Sequence, residues 1–166
     1  MPHLHTADLV IELADRLRDA GWTLATAESC TGGLIAAACT ELAGSSDWFE
    51  RGFVTYSNAA KTELLGVDAA LIEAHGAVSE PVARAMAAGA AERARTAAAL
   101  SVTGIAGPTG GSAAKPVGTV WFGWRRPDGR VDAEVRHFDG DRAAVRRAAA
   151  HHALAGLLQR LSAASI

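Results

Sequence analysis

The sequence predicts a three-layer α/β/α sandwich whose mixed, mostly parallel sheet finishes in an antiparallel hairpin. Three observations carry this prediction. Apolar segments of strand length alternate with segments of helical period, glycine- or hydroxyl-rich turns follow three of the strands, and the last two strand segments are joined by a short Pro-Asp-Gly turn. With 166 residues and 49% of them apolar, the chain suffices for one core, and no repeat, linker or low-complexity stretch divides it. Residues 1–166 are therefore read as a single domain.

Each element has its own local signal. Thr6 is a candidate N-cap for a helix whose Leu9, Val10, Leu13 and Leu17 recur near helical spacing, and Gly21 ends it. Residues 22–27 read as a strand, which passes through Ser29-Cys30-Thr31-Gly32-Gly33 into a small-residue helix ending near Glu41. Gly44-Ser45-Ser46 is a loop, residues 53–56 a short strand, and residues 58–65 a helix capped by Ser57. After a further helical turn over 69–75, Ser79 and Pro81 open an Ala-rich helix to about Arg95, proline being tolerated in a first turn. Residues 97–103 form a buried strand. A long glycine-rich loop then leads through Lys115-Pro116-Val117-Gly118 to a strand over 119–124. Residues 127–130 turn the chain into a strand in which Val131, Ala133, Val135 and His137 alternate with Asp132, Glu134 and Arg136, the pattern of one solvated face. Asp141 caps a last helix reaching about Leu161.

Composition excludes several classes of partner. The formal charge is −2 and the basic residues are scattered, so nothing supplies the concentrated positive field that nucleic acid or an anionic membrane requires. No apolar run reaches signal-peptide or membrane-spanning length, and Cys30 with Cys39 makes no secreted disulfide framework. A cytoplasmic location is the expectation. Only Lys61 and Lys115 of the 16 basic residues are lysines. Arginine serves as the ordinary surface cation here, and arginine cannot act as a neutral amine base, whereas lysine can.

In an open α/β sheet, ligands bind in the crevice beyond the strand C-termini. Ser29, Tyr56 and Thr103 each lie at or just past such an end. The glycines at 104, 107, 110 and 111 are compatible with a phosphate cradle or with a plain loop, since they fit neither the Walker nor the dinucleotide pattern. Ser29 would serve equally as a helix cap or, given a base, as a nucleophile. The histidines offer no such base: His75 stands in a helix-end turn, and His151 and His152 in a helix. His3 and His5 lack carboxylate or His partners at ligand spacing, so no metal and no cofactor are expected. Lys61 is the better base, provided that it is tuned. An unperturbed lysine with a pKa of about 10.4 is only about one part in a thousand neutral near pH 7.5. Burial, aided by the positive end of its helix, is the expected source of the shift. Tyr56, the only tyrosine, is placed to hydrogen-bond the amine or a substrate oxygen.

Five motifs taken together, Ala27-Glu28-Ser29-Cys30-Thr31-Gly32-Gly33, Tyr56-Ser57-Asn58 with Lys61, Gly76-Ala77-Val78-Ser79-Glu80, Thr103-Gly104-Ile105-Ala106-Gly107-Pro108 and Lys115-Pro116-Val117-Gly118-Thr119, resemble the C-terminal domain of the competence-damage-inducible (CinA) family. They span nearly the whole chain in order. The resemblance implies hydrolysis of nicotinamide mononucleotide to nicotinate mononucleotide and ammonia, with Ser29 as nucleophile, Lys61 as general base, and Tyr56 and Thr103 in the polar network. It also implies a homo-oligomer. Expected substrate contacts are Thr31, Gly32 and Gly33 in the first turn, Thr103, Gly104 and Gly107 in the long loop, and Arg142 with Arg146, four apart on one helix face. The oxyanion would be met by amides around Gly32 and Gly33 or by those of residues 104–107. The competing readings are a nucleotide-binding module without catalysis, and Cys30 as nucleophile.

Overall fold

The computed structural model describes residues 4–163; His3 lies outside them. Its five-stranded sheet has the order β2-β1-β3-β4-β5, built from β1 (Leu24–Glu28), β2 (Phe49–Val54), β3 (Ala98–Gly104), β4 (Thr119–Arg125) and β5 (Val131–His137). β1 pairs in parallel with both β2 and β3, whereas β3–β4 and β4–β5 are antiparallel, so β4 alone runs against the others. Helices α1 (Thr6–Ala20), α2 (Leu34–Glu41) and α6 (Arg142–Ala163) cover one face. Leu13, Leu17, Ile35, Leu154 and Leu157 meet Leu24, Leu100, Phe122 and Trp124 there. Helices α3 (Asn58–Leu65), α4 (Ala69–His75) and α5 (Glu80–Ala94) cover the other, where Leu65, Ile72, Val82 and Met86 meet Ala25, Ala27 and Ala99. The two apolar clusters on opposite sides of the sheet are the predicted three layers. Among the described residues, no helix is long and apolar enough to cross a membrane.

Four local readings are corrected. Thr6 is the first residue of α1 rather than its cap; His5 holds the cap position, and the Thr6 hydroxyl reaches His151 Nδ1 at 3.0 Å instead. β2 begins four residues before its predicted start and ends at Val54, because its pairing with β1 extends back to Phe49, and Tyr56 lies beyond it. Ser45–Asp47 is a short 3₁₀ turn rather than plain loop. The alternating polar side of β5 is not its solvated face. Asp132 and Glu134 lie across from Trp124 and Phe122, on the side covered by α6. There Asp132 accepts from Arg126 and Arg160, and Glu134 Oε1 lies 2.8 Å from His152 Nε2. The long arginine and histidine side chains reach in from the strand end and from α6, so carboxylates facing a helix are paired rather than exposed. Val135, on the opposite side, is 45% exposed.

The Ala-rich composition of α5 is explained by close approach. A Cβ at Gly89 would lie 2.0 Å from the Leu65 carbonyl oxygen, so the end of α3 rests directly on the α5 backbone. Gly89→Ala gains about 1 kcal/mol of helix propensity but forces apart two backbones, and overpacking costs about 1–3 kcal/mol or more. The steric term wins. We expect Gly89→Ala to lower the midpoint of thermal unfolding relative to the parent, and a midpoint at or above the parental value would show that α3 yields freely.

Candidate active site

Strand β1 ends on Glu28, whose side chain organises the turn into α2. The carboxylate is fully buried and accepts the amides of Ile35 at 2.9 Å and Ala36 at 3.1 Å, two of the orphan donors of the first turn of α2. Helix α2 starts at Leu34, behind Gly33 in the left-handed region at φ 106°. Ser29 therefore does not cap the helix; Glu28 does, across the intervening turn. The Ser29 amide donates to Val102 O and the Gly32 amide to Ser29 O, both at 3.0 Å, so the turn is tied to β3 and closed on itself. This leaves the Ser29 hydroxyl free for other work in a residue only 8% exposed.

That hydroxyl meets Lys61. Ser57 caps α3 by accepting the Ala60 amide at 3.0 Å, and the fourth helical residue, Lys61, turns its side chain inward until it is 1% exposed. Its Nζ lies 3.1 Å from Ser29 Oγ, 3.0 Å from Thr55 O and 3.3 Å from Tyr56 O. Burial holds the amine below the ordinary lysine value of 10.5, since an ammonium loses its hydration there. Ser57 O is farther, at 3.5 Å. In its neutral form the amine can give its two N–H bonds to the nearer carbonyls while its lone pair accepts the Ser29 O–H.

A cavity of about 280 Å³ opens above the pair. Of the predicted residues, Tyr56, Thr103, Gly104, Gly107 and Arg142 line it together with Ser29 and Lys61, while Thr31, Gly32, Gly33 and Arg146 do not. Thr31 is wholly buried, Gly32 spends its amide inside the turn, and Arg146 Nε donates to Cys30 O and Nη2 to Thr31 O. Helical spacing put Arg142 and Arg146 on one face, but their forks diverge to different partners. The Tyr56 phenol, in a residue 60% exposed, accepts from Arg142 Nη2 at 2.9 Å, and it is the Tyr56 carbonyl that meets the amine. Arg142 Nη1 also donates to Gly107 O at 2.9 Å, bridging two cavity walls. Thr103 Oγ1 is committed to Ala77 O. Gly107 is required by packing: at φ 83°, a Cβ there would lie 2.4 Å from Val117 Cγ1. Sequence reasoning assigned no site role to Asn58, which lines the cavity, or to Glu28; the position of Glu28 directly before the serine was the available signal.

The CinA C-terminal domain profile matches residues 6–161, almost the whole chain. The chain belongs to this family. A nicotinamide-nucleotide amidohydrolase PncC of Enterobacter agglomerans is 59% identical over 143 residues, which cover 86% of this chain and 87% of that one. The protein of the same name from Escherichia coli K12 is 52% identical, with 90% of each chain covered. Among solved structures, the competence damage-inducible protein A of Klebsiella pneumoniae superposes with a TM-score of 0.92 at 40% identity, over 96% of this chain and 98% of that one.

Within this CinA domain the remaining candidate nucleophile is Cys30, which also borders the cavity. Its burial pushes the thiol up to about 11, and that of Cys39 rises to about 12, because neither thiolate would be hydrated. A cysteine nucleophile needs a lowered pKa, so the environment of Cys30 is the opposite of an activating one. His75 offers only its main-chain carbonyl to Lys115 Nζ, and His152 packs among Phe122, Phe138 and Glu134. We expect both thiols to resist a disulfide reagent at pH 8 in the folded protein and to react at once on unfolding; fast modification of Cys30 in the native state would contradict the burial.

Proposed function

We propose that this domain is a nicotinamide-nucleotide amidohydrolase that converts nicotinamide mononucleotide to nicotinate mononucleotide and ammonia, with Ser29 as nucleophile and Lys61 as base. The 3.1 Å contact between Ser29 Oγ and a buried Lys61 Nζ at the cavity floor carries the reading. The names of its relatives from E. agglomerans and E. coli supply the substrate class.

Neutral Lys61 takes the Ser29 proton as Oγ adds to the carboxamide carbon. The resulting ammonium protonates the amide nitrogen, which leaves as ammonia, and an acyl ester remains on Ser29. Lys61, neutral again, then takes a proton from the water that attacks the ester and passes it to Ser29 Oγ as the acyl–oxygen bond breaks, which restores the hydroxyl and the neutral amine, and the released acid ionises to the carboxylate. The amides of Gly32 and Ile105 are spent on Ser29 O and Thr119 O, which favours those of Ala106 and Gly107, both in cavity-lining residues, as donors to the oxyanion. Arg142, steadied by Gly107 O and the Tyr56 phenol, is the proposed phosphate contact. Tyr56 thus acts at the rim through Arg142. We also propose a cytoplasmic homo-oligomer: the two free thiols suit a reducing compartment, and Ile11 leaves apolar surface exposed on α1.

Ser29→Ala should fold normally and release no ammonia from nicotinamide mononucleotide; release at the parental rate would remove Ser29 from the chemistry. Lys61→Arg keeps the charge but has a pKa above 12, so activity should fall by orders of magnitude. The parental rate should rise with pH as Lys61 loses its proton. Because the amine is held below 10.5, the rise should be complete at a pH lower than an ordinary lysine would demand. An arginine variant that retained the parental rate and pH profile would exclude Lys61 as base. Arg142→Ala should raise KM for the mononucleotide while leaving that for nicotinamide riboside nearly unchanged, and equal effects on both would take the phosphate away from Arg142.

A further inference from the structure

Helix α6 opens on the Asp141 carboxylate, which accepts the Ala144 amide at 2.9 Å, but it also gathers cations at that end. Arg142 is its first residue, and Arg146 and Arg147 follow within the second turn, near the positive end that disfavours cations. Arg142 reaches the cavity wall. Arg146 reaches elsewhere.

The Arg146 guanidinium approaches the turn that carries the nucleophile from outside the cavity, with Nε 3.1 Å from Cys30 O and Nη2 3.2 Å from Thr31 O. Both acceptors are neutral main-chain carbonyls. Thr31 O is also the acceptor of the Leu34 amide at 3.1 Å, so the fork ties the turn and the start of α2 together. In a planar trans peptide, a carbonyl and the amide that follows it point in opposite directions. Gripping Cys30 O and Thr31 O therefore fixes the rotation of two consecutive peptide units, and the second of these carries the Gly32 amide that closes the turn on Ser29 O. The fork lies close over residue 32, where a Cβ would stand 3.3 Å from Arg146 Nη2 and the guanidinium would have to give by a few tenths of an ångström. The guanidinium charge reaches the turn as well, since it is one of the influences that draw the Cys30 thiol down against its burial.

We propose that Arg146 is a positioning residue for the nucleophile: it locks the turn from Ser29 to Gly33 in the orientation that keeps Ser29 Oγ beside Lys61 Nζ, and it does not bind the substrate phosphate. This role rests on Ser29 and Lys61 being the nucleophile and its base, and it replaces the expectation that both arginines bind substrate.

The test compares the parent with Arg146→Ala and Arg146→Lys, measuring ammonia release from nicotinamide mononucleotide and from nicotinamide riboside. Misplacing a reacting group by about 1 Å costs on the order of a hundredfold in rate. Arg146→Ala should accordingly lose at least about tenfold in kcat on both substrates, with KM values close to parental, and added guanidinium should restore part of the loss in this variant alone. Arg146→Lys retains the charge but cannot fork to both carbonyls, so it should show the same split with a smaller loss, and it serves if the alanine variant fails to fold. A rise in KM confined to the phosphate-bearing substrate would make Arg146 a phosphate ligand, and an unchanged kcat would remove it from the mechanism; either overturns the proposal. A parent that releases no ammonia from the mononucleotide would instead bring down the amidohydrolase reading, and this role with it.

Discussion

The rest of the site depends on one uncommon circumstance, an amine buried beside a serine hydroxyl. A lysine is rarely enclosed, because its ammonium loses hydration that few protein contacts replace. Here Thr55 O and Tyr56 O replace part of it, and burial lowers the affinity of Lys61 for its proton. Both carbonyls belong to the segment leaving β2, which is held against β1 by the Thr55 amide donating to Glu28 O at 2.8 Å. The Ser29 hydroxyl and the Lys61 amine thus meet beyond the adjacent ends of two parallel strands, and the sheet sets their separation.

Around that pair, charged groups act as braces. The Glu28 carboxylate secures the amides of Ile35 and Ala36 in the first turn of α2, and the Arg146 guanidinium secures the carbonyls of Cys30 and Thr31 before them, so the short turn is held between an anion on the helix it enters and a cation on its own carbonyls. Arg142 joins the Tyr56 phenol to Gly107 O and so links the two walls of the cavity. Such fixing of polar groups before substrate arrives is what makes hydrogen-bond donors effective in a dry site. The antiparallel end of the sheet supports the same region: the long loop between β3 and β4 folds back on Val117, and its glycines are set by that contact as much as by any ligand.

Element types and the layered α/β architecture were legible in local signals, because apolar period, caps and turn residues are properties of neighbours in the chain. Ser57, Gly21 and Asp141 end or begin helices where their chemistry says they should. The scarcity of lysine singled out Lys61, and the hydroxyl at the first strand end singled out Ser29. What local pattern misjudged were matters of partnership. The polar side of β5 reads as solvated until α6 brings Arg160 and His152 over it, and Thr6 reads as a cap until His151 is beside it.

The sequence by itself determined which residue types stand at the strand ends, and with them the order of strands and helices, the candidate nucleophile and the candidate base. Only the tertiary structure decided how those residues are divided. It set Lys61 Nζ against Ser29 Oγ, gave the capping task to Glu28, turned the Tyr56 phenol toward Arg142, and sent Arg142 to the cavity walls and Arg146 to the turn that follows Ser29. The reason is physical: capping and periodicity act within a few residues, whereas the burial of an amine and the acceptor found by a guanidinium depend on segments separated by 32 or more residues and joined only when the sheet closes.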